Sequence, residues 1–84
     1  PEYHGLRIDP CIPSTWDGFI ATRKFRGKHL DIRVDNPHHV EKGVARIELN
    51  GKELQDSLIP VQELLETNIV VVQMGKRIAA EGQR

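Results

Sequence analysis

Apolar and polar residues alternate with a period of two over much of the chain. In HLDIRVD (residues 29–35), Leu30, Ile32 and Val34 fall on one face, and His29, Asp31, Arg33 and Asp35 on the other. Strict alternation of this kind predicts a strand with one buried and one solvated face. The preceding FIATRKFR (19–26) alternates less cleanly. A two-residue turn at Gly27-Lys28, with glycine in the first position of a type II′ hairpin, sets the pairing. Phe25 then faces Leu30, Arg23 faces Ile32 and Ala21 faces Val34, while Lys24 meets Asp31 on the other side. This register puts apolar with apolar and opposite charges together, as cross-strand pairs prefer. Arg23 is the misfit. Either its stem lies along the apolar face with its head in water, or the register is bulged.

Asn36-Pro37 breaks the strand. Residues 44–49 form another, with Ala45, Ile47 and Leu49 on one side, and Asn50-Gly51 is a strong hairpin signal because both central positions of a type I′ turn need positive φ. SLIPV (57–61) reads as extended around Pro60. VQELLET (61–67) is either one helical turn or a loop that buries Leu64 and Leu65. IVVVQM (69–74) is rich in β-branched residues, and its continuous apolar run predicts a strand covered on both faces. Gly75 ends it, and KRIAAEGQR (76–84) reads as a frayed end or short surface helix. About six short strands with almost no helix predict an all-β fold, a small antiparallel β-sandwich of jelly-roll-like type. The expected division is a lead-in connector and first strand over 1–18, a β-sandwich domain over 19–75, and a tail over 76–84.

Composition sharpens this picture. A chain of 84 residues is a single small domain. Domains of this size bury only roughly 60% of the surface exposed on unfolding. Here 38% hydrophobic and 5% aromatic residues make a thin core, and the single cysteine excludes an internal disulfide. A docked partner surface is therefore the expected support. Twelve basic and twelve acidic residues balance to zero net charge, which argues against nucleic-acid and membrane-surface partners. The longest apolar run, residues 69–72, is too short to span a bilayer, and the N-terminus lacks a signal-peptide apolar region. One cysteine fits a reducing compartment, so a cytoplasmic location is expected. The chain opens on Pro1 rather than Met, which suggests a piece of something longer.

Chemistry-bearing residues are few. Cys11, between Pro10 and Ile12, reads as a buried, inert thiol on a strand rather than a nucleophile. His38-His39 point to opposite sides of an extended segment and lie far in sequence from His4 and His29, so no metal site is expected. RKFRGK (23–28) alternates across both faces of the hairpin and reads as a solvated surface, not a phosphate patch. Asp9 and Asp17 flank a rigid loop, while Glu53, Glu63 and Glu66 lie on polar or irregular stretches. Nothing sets one carboxyl apart from another as acid and base. Trp16 is the candidate carbohydrate-binding residue, its ring a platform for a pyranose. Burial against a neighbour is the commoner fate of a lone Trp.

Several runs carry a family resemblance. Gly5-Leu6, Ile8-Asp9-Pro10-Cys11-Ile12-Pro13, Trp16, Gly18-Phe19 and Thr22-Arg23-x-Phe25-Arg26-Gly27 resemble the C-terminal segment of the cellobiose phosphorylase family, which includes chitobiose and cellodextrin phosphorylases. The later NP, KGV, NGKEL, IP and VVQMG (71–75) also look like the family. The resemblance implies an inverting glycoside phosphorylase. Such an enzyme cleaves a β-linked glucosyl disaccharide with inorganic phosphate to α-glucose 1-phosphate and free sugar. It also implies an N-terminal β-sandwich, a catalytic α/α barrel, a C-terminal β-sandwich and a homodimer. The general acid and phosphate ligands of such enzymes lie in the barrel, so no catalytic residue is carried over. No cofactor is implied beyond phosphate as co-substrate. Two functions follow: a non-catalytic accessory domain capping that barrel, or a free-standing carbohydrate-binding β-module with Trp16 as its platform.

Overall fold

The computed structural model describes residues 5–76. Seven strands and one 3-10 turn follow in order: β1 (Gly5–Arg7), β2 (Gly18–Phe25), β3 (Lys28–Asp35), β4 (Val44–Leu49), β5 (Lys52–Glu53), β6 (Leu58–Pro60), the turn Val61–Glu63, and β7 (Thr67–Met74). Five strands form one sheet in the order β2-β3-β7-β4-β5, and β1 pairs with β6 in a second, narrow layer. The expected small all-β sandwich is what the chain builds. The large sheet is mixed, however, because β3 and β7 run parallel. The segment from β6 through the 3-10 turn passes through the second layer, so β7 re-enters the large sheet between β3 and β4 in the direction of β3.

The alternation of β3 is borne out: Leu30, Ile32 and Val34 are buried. With Ile47 and Leu49 of β4 and Val70, Val72 and Met74 of β7, they form the sheet side of the core. Leu6, Ile8, Ile12, Ile59 and Leu64 pack from the second layer. β7 departs from its expected burial on both faces. The second layer lies on one side only, so Ile69 is 60% exposed while its neighbours Asn68 and Val70 are buried. Of the two leucines before β7, Leu64 is buried and Leu65 is exposed.

The β2–β3 hairpin corrects the expected turn. Its central residues are Arg26 and Gly27, at φ 54° and 78°, the positive-φ pair that matches the twist of the flanking strands. Phe25 therefore pairs with Lys28, Lys24 with His29, Arg23 with Leu30, Ala21 with Ile32 and Phe19 with Val34, without a bulge. The expected Lys24–Asp31 pair does not form, because Thr22 stands opposite Asp31. Arg23 still falls on the inward face, because moving the turn by one position shifts the pairing by two residues, which sets Phe19 in place of Ala21 opposite Val34. The Asn50-Gly51 turn is as expected, at φ 52° and 88°. In β4 a register shift between Val44 and Arg46 makes Ala45 the extra residue. Val44, not Ala45, therefore packs against the core with Ile47 and Leu49.

Two buried asparagines tie loops to this sheet. Asn68 Nδ2 donates to the carbonyls of His29 (2.9 Å) and Leu65 (2.8 Å). Its Oδ1 accepts from the Leu65 N–H (2.8 Å) and Asn50 Nδ2 (3.0 Å). Asn36, just past β3, does the same for the loop that carries Trp16. Residues 77–84 of the expected tail lie outside the described residues.

Candidate functional site

The connector between β1 and β2 turns tightly at its end: the Trp16 N–H donates to the Pro13 carbonyl at 3.1 Å. Asn36 then clamps the backbone that follows the indole. Its backbone N–H donates to the Asp17 carbonyl at 2.7 Å, and its Nδ2 to the Trp16 carbonyl at 3.1 Å and the Val40 carbonyl at 2.8 Å. Its Oδ1 accepts from the Val40 N–H at 3.0 Å. Asn36 is 1% exposed, so these bonds are shielded from competing water.

The expected burial of Trp16 is not what the fold does: its side chain is 47% exposed. One edge meets Phe19, with ring centroids 6.5 Å apart and planes at 70°. Beside it, His39 Nε2 and Asp17 Oδ1 lie 2.8 Å apart at the surface. His39 sits at φ 51°, which turns it toward Asp17. The site therefore presents a half-exposed aromatic face on a fixed loop, flanked by an imidazole and a carboxylate. Such an arrangement can stack on an apolar ring face and hydrogen-bond hydroxyls at its margin.

Cys11 overturns its reading as a buried thiol. The residue is exposed. The segment is extended, as expected, with Cys11 bridging Lys42 and the Ile12 N–H donating to the Glu41 carbonyl at 2.9 Å. Alternation then gives the inward position to Ile12 and turns Cys11 out. Among the described residues no three His, Cys, Asp or Glu side chains cluster as metal ligands.

The carboxylates are dispersed over surface ion pairs: Arg46–Glu53 at 3.6 Å, Lys52–Glu63 at 3.5 Å and Lys28–Glu66 at 3.9 Å. The basic stretch is divided as alternation requires. Arg23 points inward, Lys24 outward, and the Arg26 guanidinium lies 5.5 Å from the Phe25 ring centroid.

Asp9 lines a cavity of about 240 Å³ between the β1 segment and β2, together with Ile8, Phe19, Ala21 and Arg23. Two features were missed in the sequence. Asn36 reads there as a strand breaker, although an Asn before Pro is also a residue able to bond its own backbone neighbours. The cavity arises from unequal layers, which no local pattern records.

Residues 3–55 match the family described as Glycosyl hydrolase family 65, C-terminal domain. The chain is 47% identical over 70 residues to N,N'-diacetylchitobiose phosphorylase of Vibrio proteolyticus, covering 83% of this chain. It is 43% identical over 70 residues to the enzyme of that name from Vibrio furnissii, again 83% of the chain. With 3-O-beta-D-glucopyranosyl-beta-D-glucuronide phosphorylase of Paenibacillus borealis the identity is 31% over 68 residues, 81% of the chain. The chain spans only 9%, 8% and 9% of the length of these relatives.

Proposed function

We propose, since this chain belongs to glycosyl hydrolase family 65 as its C-terminal domain, that it is the accessory, non-catalytic β-domain of a disaccharide phosphorylase. The family match over residues 3–55 carries this reading. Support comes from the small fraction of each phosphorylase relative that the chain spans, which leaves nine-tenths of such an enzyme to hold the chemistry. The scattered ion pairs of Glu53, Glu63 and Glu66 point the same way.

In the proposed parent enzyme, inorganic phosphate attacks the anomeric carbon of a β-linked glucosyl disaccharide such as cellobiose. A carboxylic acid upstream of these 84 residues protonates the leaving oxygen. Phosphate takes the place that water holds in an inverting glycosidase, so the product is α-glucose 1-phosphate. The accessory domain seats on the catalytic α/α barrel and contributes to a homodimer in the cytoplasm, with no cofactor.

Full-length parent incubated with phosphate and a panel of β-linked disaccharides, including cellobiose and N,N'-diacetylchitobiose, tests the reaction. Release of an α-glycosyl phosphate is expected. Absence of any sugar phosphate across the panel would sink the reading.

The half-exposed, clamped indole favours a second role, in which Trp16 contacts carbohydrate. Trp16 is the only tryptophan, so fluorescence reports on it alone. Titration with cello-oligosaccharides should shift its emission. An unchanged spectrum at millimolar sugar would remove the role.

A further inference from the structure

The inner face of the five-stranded sheet is covered unevenly. Its central strands are sealed: Leu30, Ile32 and Val34 of β3 and Val70, Val72 and Met74 of β7 are all buried. On β2 no inward position is. Phe19, Ala21 and Phe25 are half-buried and Arg23 is exposed. The reason is width. Strands lie about 4.8 Å apart, so five of them make a face roughly 24 Å wide against roughly 10 Å for the two-stranded layer. Loops fill the β4 side, where Leu54, Val61 and Leu64 pack on the core. The β2 side keeps the cavity of about 240 Å³, lined by the apolar Ile8, Phe19, Ala21, Ile32 and Val34 and by the charged Arg7, Asp9 and Arg23.

We propose that an extended segment of the parent enzyme, from outside these 84 residues, lies in this cleft along β2. Its apolar side chains rest on Phe19, Ala21 and Ile32, and a carboxylate meets Arg23. The inference rests on the accessory-domain reading and names the surface that reading requires. Three observations choose this occupant. The gap is lined along β2 by Phe19, Ala21, Thr22 and Arg23 and backed by Ile32 and Val34, which suits a strand of the missing layer width. Arg23 projects into it from the inward face of β2, shares its lining with Arg7 and Asp9, and forms no ion pair within 4.0 Å among the described residues. The relatives are more than ten times longer than the matched region, so abundant chain exists to fill it. The outer face of the same sheet is a poorer surface. Its exposed Ile20 and Ile69 stand among the self-neutralised pairs Arg33–Asp35 at 3.1 Å and Arg46–Glu48 at 2.7 Å.

Side-chain oxidation footprinting of this chain alone and of the full-length parent tests the proposal. Phe19 and Phe25 should label readily in the 84-residue chain and ~10-fold more slowly in the parent, while Ile20 labels alike in both. In the parent, Arg23→Glu should restore Phe19 labelling toward the level of the isolated chain, and Arg23→Lys should keep it protected. Equal labelling of Phe19 in both proteins overturns the proposal. So does protection already present in the 84-residue chain, or protection that falls on Ile20 and Ile69 instead. An Arg23→Glu parent that labels like wild type overturns the carboxylate contact. Phosphorolysis measured on the same samples separates the two readings. A parent that turns over disaccharide with Phe19 unprotected loses the cleft and keeps the accessory domain, whereas turnover by the chain alone removes the accessory domain itself.

Discussion

Asn68 shows how much a single polar side chain can hold in so small a domain. It is fully buried and each of its polar atoms bonds twice, to β3, to the Leu65 loop and to the Asn50 turn. Replacing it by Ala removes the side-chain bonds to the Leu65 N–H and to the His29 and Leu65 carbonyls. An unsatisfied buried group costs about 1–3 kcal/mol, so Asn68→Ala should lose about 3 kcal/mol in urea unfolding even after local relaxation. A loss below about 1 kcal/mol would show that water replaces the amide. Asn36→Ala should destabilise in the same way and also free the Trp16 loop, seen as a red-shifted and more quenchable indole. Trp16→Ala itself should cost less, because the ring is half in water and meets Phe19 edge-on. The Cys11 thiol, turned to solvent, should react with a thiol reagent in the folded chain at close to the rate seen in denaturant.

At the scale of elements, the two glycines of the β2–β3 hairpin test its geometry separately. A Cβ at Gly27 meets nothing within 4 Å, although φ is 78°. Gly27→Ala should therefore cost only the left-handed backbone term, about 1–2 kcal/mol. A Cβ at Gly18 would stand 2.1 Å from the Val34 carbonyl oxygen at φ 149°. Gly18→Ala must open the pairing of β2 with the end of β3, so its loss of stability should exceed that of Gly27→Ala clearly in parallel melts. Equal losses would contradict the close approach. This hairpin also shows what was legible beforehand. Alternation in β3 identified its buried face, because that face is defined by three consecutive inward residues. The turn was not decided by alternation, since Gly27-Lys28 and Arg26-Gly27 both leave Arg23 inward. What separates them is the twist of a turn with two positive φ values and the gain of Phe19 beside Val34. Ala45 escaped detection because a bulge changes parity without changing composition. The outward turn of Cys11 was hidden for a related reason: parity there is set by Ile12 docking under the second layer.

At the scale of the whole molecule, the apolar run of β7 was read as covered twice and is covered once, because the second layer lies on one side of the sheet. Its outer side chains, Ile69 and Val71, alternate with a buried set that ends at Met74. The all-β class was visible in turn chemistry and period. The parallel β3–β7 pair was not, since it depends on a crossover through the second layer that local patterns do not encode. Nor was the open β2 side, which depends on a difference in layer width. The site followed the same rule: Trp16 stood out as a residue type, but its exposure and its clamp are tertiary facts. A thin core, unequal layers and dispersed carboxylates all fit the proposed role of an accessory domain. That claim meets its most direct test in a coupled assay of the 84-residue chain alone, in both directions, with cellobiose plus phosphate and with α-glucose 1-phosphate plus glucose. No turnover above the uncatalysed rate is expected at concentrations where the full-length parent is active. Sustained turnover by the chain, abolished when Trp16 or Asp9 is replaced by Ala, would contradict it.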